Sequence, residues 1–310
     1  MQGVLTLAGE GTRMLPWTRG LRKEFLPLYD RGIRGEPVLK PVAHLALESL
    51  TSAGAEEITL VVRNRDLTMV QNYFTIDRPF LRRHAHHRER LTDTERFYQQ
   101  LHELRLRYAV QPQPSGFGDA VLRAEPCVGV EPFLLHAADA VLLEAERGRT
   151  LRTMAALRER EGLDAVLLVR KVAEPSRYGV VEGSEGGREG EYRRLDVTRI
   201  VEKPARPRSR WAATALYAFS SRMFPALRAV ARSERPRELE VTAGIARMLA
   251  DGGRVVALVL TPRLGEWRSV GSAAGYLEAL TRTRRLAERA APRRGKSPRL
   301  NHRLKGPSAS

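Results

Sequence analysis

The chain has 310 residues, of which 42% are hydrophobic, a length and composition that suit one large folded α/β domain and exclude a globally disordered chain. No apolar run approaches the roughly 18 residues that a membrane helix needs. The opening Met1-Gln2-Gly3-Val4-Leu5 lacks the basic and long apolar segments of a signal peptide, and the single cysteine, Cys127, excludes an intrachain disulfide, so a cytoplasmic setting is expected.

The net charge is +17. Residues 282–305 carry ten Arg or Lys against one acid, Glu288, and residues 282–310 read as a basic tail without fixed structure following a folded unit over 1–281. That tail contains no aromatic residue to stack a base, which argues against nucleic acid as a partner; the remaining excess suits small anionic substrates. Only six of the 53 basic residues are lysine, and two of them, Lys23 and Lys203, fall in motifs described below. The oligomeric state is left open, with a homo-oligomer among the options.

In chain order, Val4-Leu5-Thr6-Leu7 predicts a buried strand entering a glycine turn. Apolar spacing over Val42 to Ser52 predicts a helix stopped by Gly54, and Ile58 to Val62 the next strand. Strand, helix, strand in that order implies a parallel crossover and an α/β fold. Residues 78–106 read as a charged helical insertion on the surface with little apolar face. Three histidines there, His84, His86 and His87, have no matching Cys or acid spacing and read as a solvated loop rather than a metal site. Further strands are expected at Tyr108-Ala109-Val110, at Pro132 to Leu135 running into Asp139, at Ala165 to Val169, at Thr214 to Phe219 and at Val255 to Val259. Helices are expected at Asp119 to Ala124 and Leu239 to Leu249, and the glycines of Gly183 to Gly190 read as a hairpin tip.

The segment Ala8-Gly9-Glu10-Gly11-Thr12-Arg13 is a glycine-rich loop whose backbone N–H groups can approach an anion. It lacks the Gly-Lys-Ser/Thr of a Walker loop, and Met14 replaces the third glycine of a dinucleotide fingerprint. Arg13 and, ten residues on, Lys23 add two cations of the kind that polyphosphate requires.

The opening Ala8-Gly9-Glu10-Gly11-Thr12-Arg13-Met14-Leu15-Pro16 with Lys23-Glu24-Phe25-Leu26-Pro27-Leu28 closely resembles the UTP–glucose-1-phosphate uridylyltransferase family of sugar-1-phosphate nucleotidyltransferases. The resemblance spans about residues 3–280 and continues through Gln111, Gly116-Phe117-Gly118-Asp119-Ala120-Val121, Asp139, Tyr178-Gly179-Val180-Val181 and Val201-Glu202-Lys203-Pro204. It implies a Rossmann-like three-layer sandwich around a mixed, mostly parallel sheet. It also implies Mg²⁺-dependent transfer of a nucleotide from UTP, or dTTP, to a sugar 1-phosphate such as glucose 1-phosphate. By that resemblance Ala8, Gly9, Gly11, Thr12, Gln111 and Gly116 hold the nucleotide, and Arg13 and Lys23 the triphosphate. Asp139 binds the metal, Gly179 lines the sugar pocket, Glu202 binds sugar hydroxyls and Lys203 grips the sugar phosphate.

Departures from the family pattern concentrate in the metal and sugar half. In Gly265-Glu266-Trp267-Arg268-Ser269-Val270-Gly271-Ser272 the usual aspartate two residues before the glycine is Ser269. Ala215 stands where glycine is common, and Glu238-Leu239-Glu240-Val241-Thr242-Ala243 alters two polar positions. These changes favour a second reading, a nucleotide-binding regulatory homologue that lost turnover, while Lys23, Asp139 and Lys203 favour an active transferase.

Overall fold

The computed structural model describes residues 1–290 apart from Arg235. The first strand, β1 (Gln2–Thr6), leads through the glycine loop to a short hairpin of β2 (Pro27–Arg31) and β3 (Pro37–Pro41), helix α1 (Val42–Ser52) and strand β4 (Glu57–Arg63). Helices α2 (Leu67–Tyr73), α3 (Arg78–Arg83) and α4 (Arg88–Glu103) precede strand β5 (Arg105–Gln111). Next come α5 (Phe117–Arg123), α6 (Glu125–Val128), β6 (Phe133–Ala137), β7 (Ala140–Leu143), α7 (Arg149–Glu161) and β8 (Ala165–Lys171). The second half holds β9 (Gly179–Glu189), β10 (Tyr192–Glu202), β11 (Trp211–Phe219), α8 (Met223–Ser233), α9 (Val241–Ala250), β12 (Val255–Leu260), β13 (Glu266–Ser269) and α10 (Ala273–Ala290).

Nine strands form one sheet in the order β5-β4-β1-β6-β11-β8-β12-β10-β9. β1 is parallel to both β4 and β6, β5 extends that run, and β12 is parallel to β8; β10 and β11 run against the rest. The sheet is therefore mixed and mostly parallel, and its central strands are apolar on both faces, as burial on two sides requires. One face packs against α5, α8 and α9 through Phe133, Phe219 and Phe224; the other packs against α1 and α7 through Leu47, Leu50, Met154 and Leu157. The result is the expected three-layer sandwich.

Three details differ from the sequence expectations. Residues 183–189 are not a hairpin tip: β9 runs to Glu189, and the turn falls at Gly190. Gly183 is needed because a Cβ there would collide with the Asp196 carbonyl, at a register shift in the β9–β10 ladder, so the glycines serve a bulge. The insertion also has an apolar face. Leu91, Phe97 and Leu101 of α4 are buried, and Phe97 stacks on His44 of α1 with ring centroids 3.8 Å apart. Finally, α10 continues past residue 281 to Ala290 with Thr283 and Ala287 buried, so the helix does not fray at Arg282; the expected tail beyond it lies outside the described residues.

Candidate active site

The loop after β1 crosses the carboxyl end of the sheet, where open α/β sheets bind ligands. The backbone N–H groups of residues 8–11 donate to no acceptor among the described residues, although Ala8 is buried. Gly11 has φ 71° and a Thr18 hydroxyl on its carbonyl at 2.8 Å, and a Cβ there would lie 2.8 Å from Thr18 Cγ2. The loop thus turns tightly while keeping its amides free, the arrangement that suits phosphate oxygens.

Lys23 comes up beneath this loop from the short turn before β2. Its Nζ lies 3.6 Å from where a Cβ on Gly9 would be, and it is hydrogen-bonded to Asp139. Asp139 follows β6, the strand beside β1, so the parallel pairing of Thr6 with Ala137 brings the two motifs to one edge. Burial alone would lower the Lys23 ammonium, but Asp139 and Glu24 outweigh it and hold it above its usual value. Burial pushes the Asp139 carboxyl up, while Lys23 and Arg13 pull it down further, and the net direction is down. Glu24, packed beneath between Arg22 and Lys23, is raised to about 7 by burial.

On the far side of the cleft, Gln111 is 2% exposed and donates from Nε2 to the Gly116 carbonyl at 3.0 Å and the Asp119 carboxylate at 2.8 Å. Both partners are acceptors, which fixes the amide with its oxygen turned from them. Gly116, at φ 106°, packs so closely on Leu239 that any side chain would collide with backbone. Ala8, Gly9, Gly11, Thr12, Arg13, Lys23, Gln111, Gly116 and Asp139 therefore line one chamber of about 400 Å³.

A second chamber of about 670 Å³ joins the first, with Thr12, Arg13, Ala215, Glu238 and Gly271 on both walls. Lys203 lines this second chamber. It sits at φ 40° just past β10, its N–H on the Tyr178 carbonyl at 3.0 Å and its Nζ 2.9 Å from Glu202. The antiparallel pairing of Gly179 with Glu202 joins the Tyr178-Gly179 and Glu202-Lys203 motifs. Gly179 does not line the chamber as the resemblance implies. It is buried, and a Cβ there would lie 2.6 Å from Thr242 and 3.2 Å from Glu202, so this glycine instead lets Thr242 reach Glu202 Oε2 at 3.1 Å. The Glu202 side chain is partly exposed beside Lys203.

Ser269 lies beside Asp139 because β13 pairs with β7, Ser269 opposite Ala140, and the Val270 N–H bonds the Asp139 carbonyl at 2.8 Å. A Cβ on Gly271 would lie 3.2 Å from Ser269 Oγ, 3.2 Å from Arg13 Nη2 and 3.5 Å from Asp139 Oδ2, so these groups converge on one small cradle. Ala215 occupies a left-handed conformation, φ 60°, inside the bulge where β11 changes register against β8.

Sequence reasoning passed over Glu240 and Arg170. Glu240 lines the first chamber, 4.0 Å from Lys203, and burial with Glu202 and Glu238 nearby raises its carboxyl to about 7. Its signal was the altered Glu238-Leu239-Glu240 segment. Arg170, near the end of β8, lines the second chamber. Nothing in its local sequence marks it.

The family model for nucleotidyl transferases matches residues 2–285, and the chain belongs to that family. It is 29% identical to a glucose-1-phosphate thymidylyltransferase of Neisseria meningitidis over 260 residues, 84% of this chain and 75% of that one. It is 28% identical to the UTP–glucose-1-phosphate uridylyltransferase of Escherichia coli over 312 residues, 95% of this chain and 97% of that one. The UTP-bound UGPase of Acinetobacter baumannii superposes with a TM-score of 0.73 at 25% identity, covering 91% of this chain and 92% of that one.

Proposed function

We propose that the protein transfers a nucleotide from UTP or dTTP to a sugar 1-phosphate, releasing pyrophosphate. The observation that carries this reading is the Lys23–Asp139 pair lying beneath a loop of free amides in a chamber that adjoins a second, cation-lined one. An oxygen of the sugar phosphate bonds to the α-phosphorus, the bond from that phosphorus to the bridging oxygen breaks, and pyrophosphate leaves with the electron pair. The nucleophile is already an anion, so the protein needs no general base. It has to hold two polyanions in line and offset their repulsion.

The roles follow from placement. The residue 8–11 amides and Arg13 take the triphosphate oxygens, and Lys23 neutralises charge at the phosphorus under attack. The free oxygen of Gln111 can accept from the N3–H of uracil or thymine, which cytosine lacks, and this supports UTP or dTTP as donor. Lys203 holds the acceptor phosphate.

Mg²⁺ takes oxygen ligands and keeps several waters alongside one or two carboxylates and substrate phosphates. The cradle over Gly271 offers one carboxylate, Asp139, and one neutral hydroxyl, Ser269, beside the Arg13 guanidinium, so a cation bound there would be held mainly by the triphosphate and Asp139. Bound there, it would add positive charge at the phosphates. A cytoplasmic location accompanies this reading.

The test is pyrophosphate release from each of the four common nucleoside triphosphates with a panel of sugar 1-phosphates, with and without Mg²⁺. Turnover with UTP or dTTP that stops on chelation is the expected result. Nucleotide binding without turnover for any pair overturns the proposal in favour of a regulatory homologue.

A further inference from the structure

Five cations line the second chamber: Arg13, Arg170, Arg177, Lys203 and Arg268. Three are already paired: Arg177 with Glu174 at 3.3 Å, Lys203 with Glu202 at 2.9 Å and Arg268 with Glu266 at 2.8 Å. Arg13 and Arg170 have no carboxylate within 4.0 Å among the described residues. Arg13 stands on the wall common to both chambers, where the two phosphates must meet. Arg170 lines only the second.

Arg170 is also held in place. Its guanidinium lies 4.8 Å from the centre of the Trp267 ring and 5.6 Å from that of Tyr178, and it donates to the Tyr178 hydroxyl at 3.4 Å. It is half-buried, opposite Ala212 on β11 and Leu260 on β12, so its strand is fixed on both sides. A planar cation stacked on aromatic faces, with most of its donors unspent, is preorganised for a planar or tetrahedral anion. The acids on the chamber wall, Glu238 and Glu278, do not reach it within ion-pair distance.

We infer that the acceptor is a sugar 1-phosphate bearing a second anionic group, a carboxylate or a further phosphate, which Arg170 reads. This rests on the nucleotidyl-transfer reading above. The 1-phosphate belongs at Lys203 and the boundary with the first chamber. The second anion takes no part in bond exchange; it fixes the acceptor's orientation and gives acidic sugars the advantage, because a half-buried guanidinium that otherwise meets the Tyr178 hydroxyl and two ring faces gains charge-assisted hydrogen bonds only from an anion.

The experiment compares kcat/KM for glucose 1-phosphate, glucuronate 1-phosphate and glucose 1,6-bisphosphate, with UTP and with dTTP, in the full-length chain, Arg170→Gln and Arg170→Lys. One of the two acidic acceptors should exceed glucose 1-phosphate by about tenfold or more, the worth of a charge-assisted hydrogen bond, and which one it is distinguishes carboxylate from phosphate. Arg170→Gln should bring that ratio close to one, with Arg170→Lys in between. A wild-type chain that uses glucose 1-phosphate as well as either acidic sugar overturns the inference while leaving nucleotidyl transfer intact, and that comparison needs no variant to fold. A ratio unchanged in Arg170→Gln also overturns it. Absence of turnover with all three acceptors overturns the inference, and its absence across the wider sugar 1-phosphate panel as well removes the underlying reading.

Discussion

Replacing Lys23 by Met keeps most of the aliphatic stem and deletes the ammonium beneath the phosphate loop. The amine is bonded to Asp139 and lies 3.9 Å from Glu24, in a position 8% exposed. A unit charge about 4 Å from another is worth ~4 kcal/mol at an effective dielectric of about 20. Access of solvent from the open cleft reduces this, and removal of one preorganised donor commonly costs about 10²–10³ in kcat. A drop in kcat of about 10²-fold is therefore expected, with nucleotide affinity weakened by less than about tenfold because the loop amides and Arg13 remain. Pyrophosphate release gives the first number, and calorimetric titration with UTP gives the second. The same variant has a signature on the acid side. The Asp139 carboxyl is held down in the native state, so its pairing contributes stability above its unfolded value of about 3.9 and loses it as pH falls through the lower native value. Urea midpoints measured from pH 6 down to pH 2 should fall less steeply in Lys23→Met than in the parent. A kcat within about fivefold of the parent, or equal acid sensitivity in the two proteins, would refute this account of Lys23.

Lys203→Ala should raise the acceptor KM by about tenfold or more while UTP affinity stays within about twofold, and parallel losses would show that this lysine does not serve the acceptor. Glu240 gains a charge as pH rises through about 7, close to Lys203, so acceptor KM should climb across that range and the climb should be flattened in Glu240→Gln; an identical profile in the variant excludes this carboxyl as the cause. Ser269→Asp supplies a second carboxylate to the cradle over Gly271 and should lower the Mg²⁺ concentration for half-maximal activity; an unchanged requirement locates the metal elsewhere. Ala215→Gly relieves a left-handed alanine, worth ~1 kcal/mol, and returns about 0.4–1 kcal/mol in unfolded-chain freedom, so the urea midpoint should hold or rise slightly. A loss above about 1 kcal/mol would mean that the methyl group packs usefully.

The nucleotide half was legible because its chemistry is local. A glycine loop, Arg13 and Lys23 lie within sixteen residues, and Asp139 and Gln111 sit at strand ends that apolar runs announce. The sugar half depends on pairings that local pattern does not encode. Ser269 meets Asp139 only through the β7–β13 ladder, and Gly179 turned out to be a spacer for Thr242 because of its register opposite Glu202. The glycines of β9 misled for a related reason: a bulge and a turn call for the same residue. Arg170 stayed invisible since one more arginine in an arginine-rich chain carries no signal until Trp267, a hundred residues later, is folded onto it.

Gly271 lines the first chamber, and α10 anchors the segment that carries it, with Tyr276 donating to the Pro27 carbonyl at 3.2 Å and Thr283 accepting from the Tyr29 N–H at 3.3 Å. The loop after β1 thus takes part of its wall from a segment remote from it in sequence. The shape of the cleft over Lys23 and Asp139 therefore depends on how firmly α10 holds to β2.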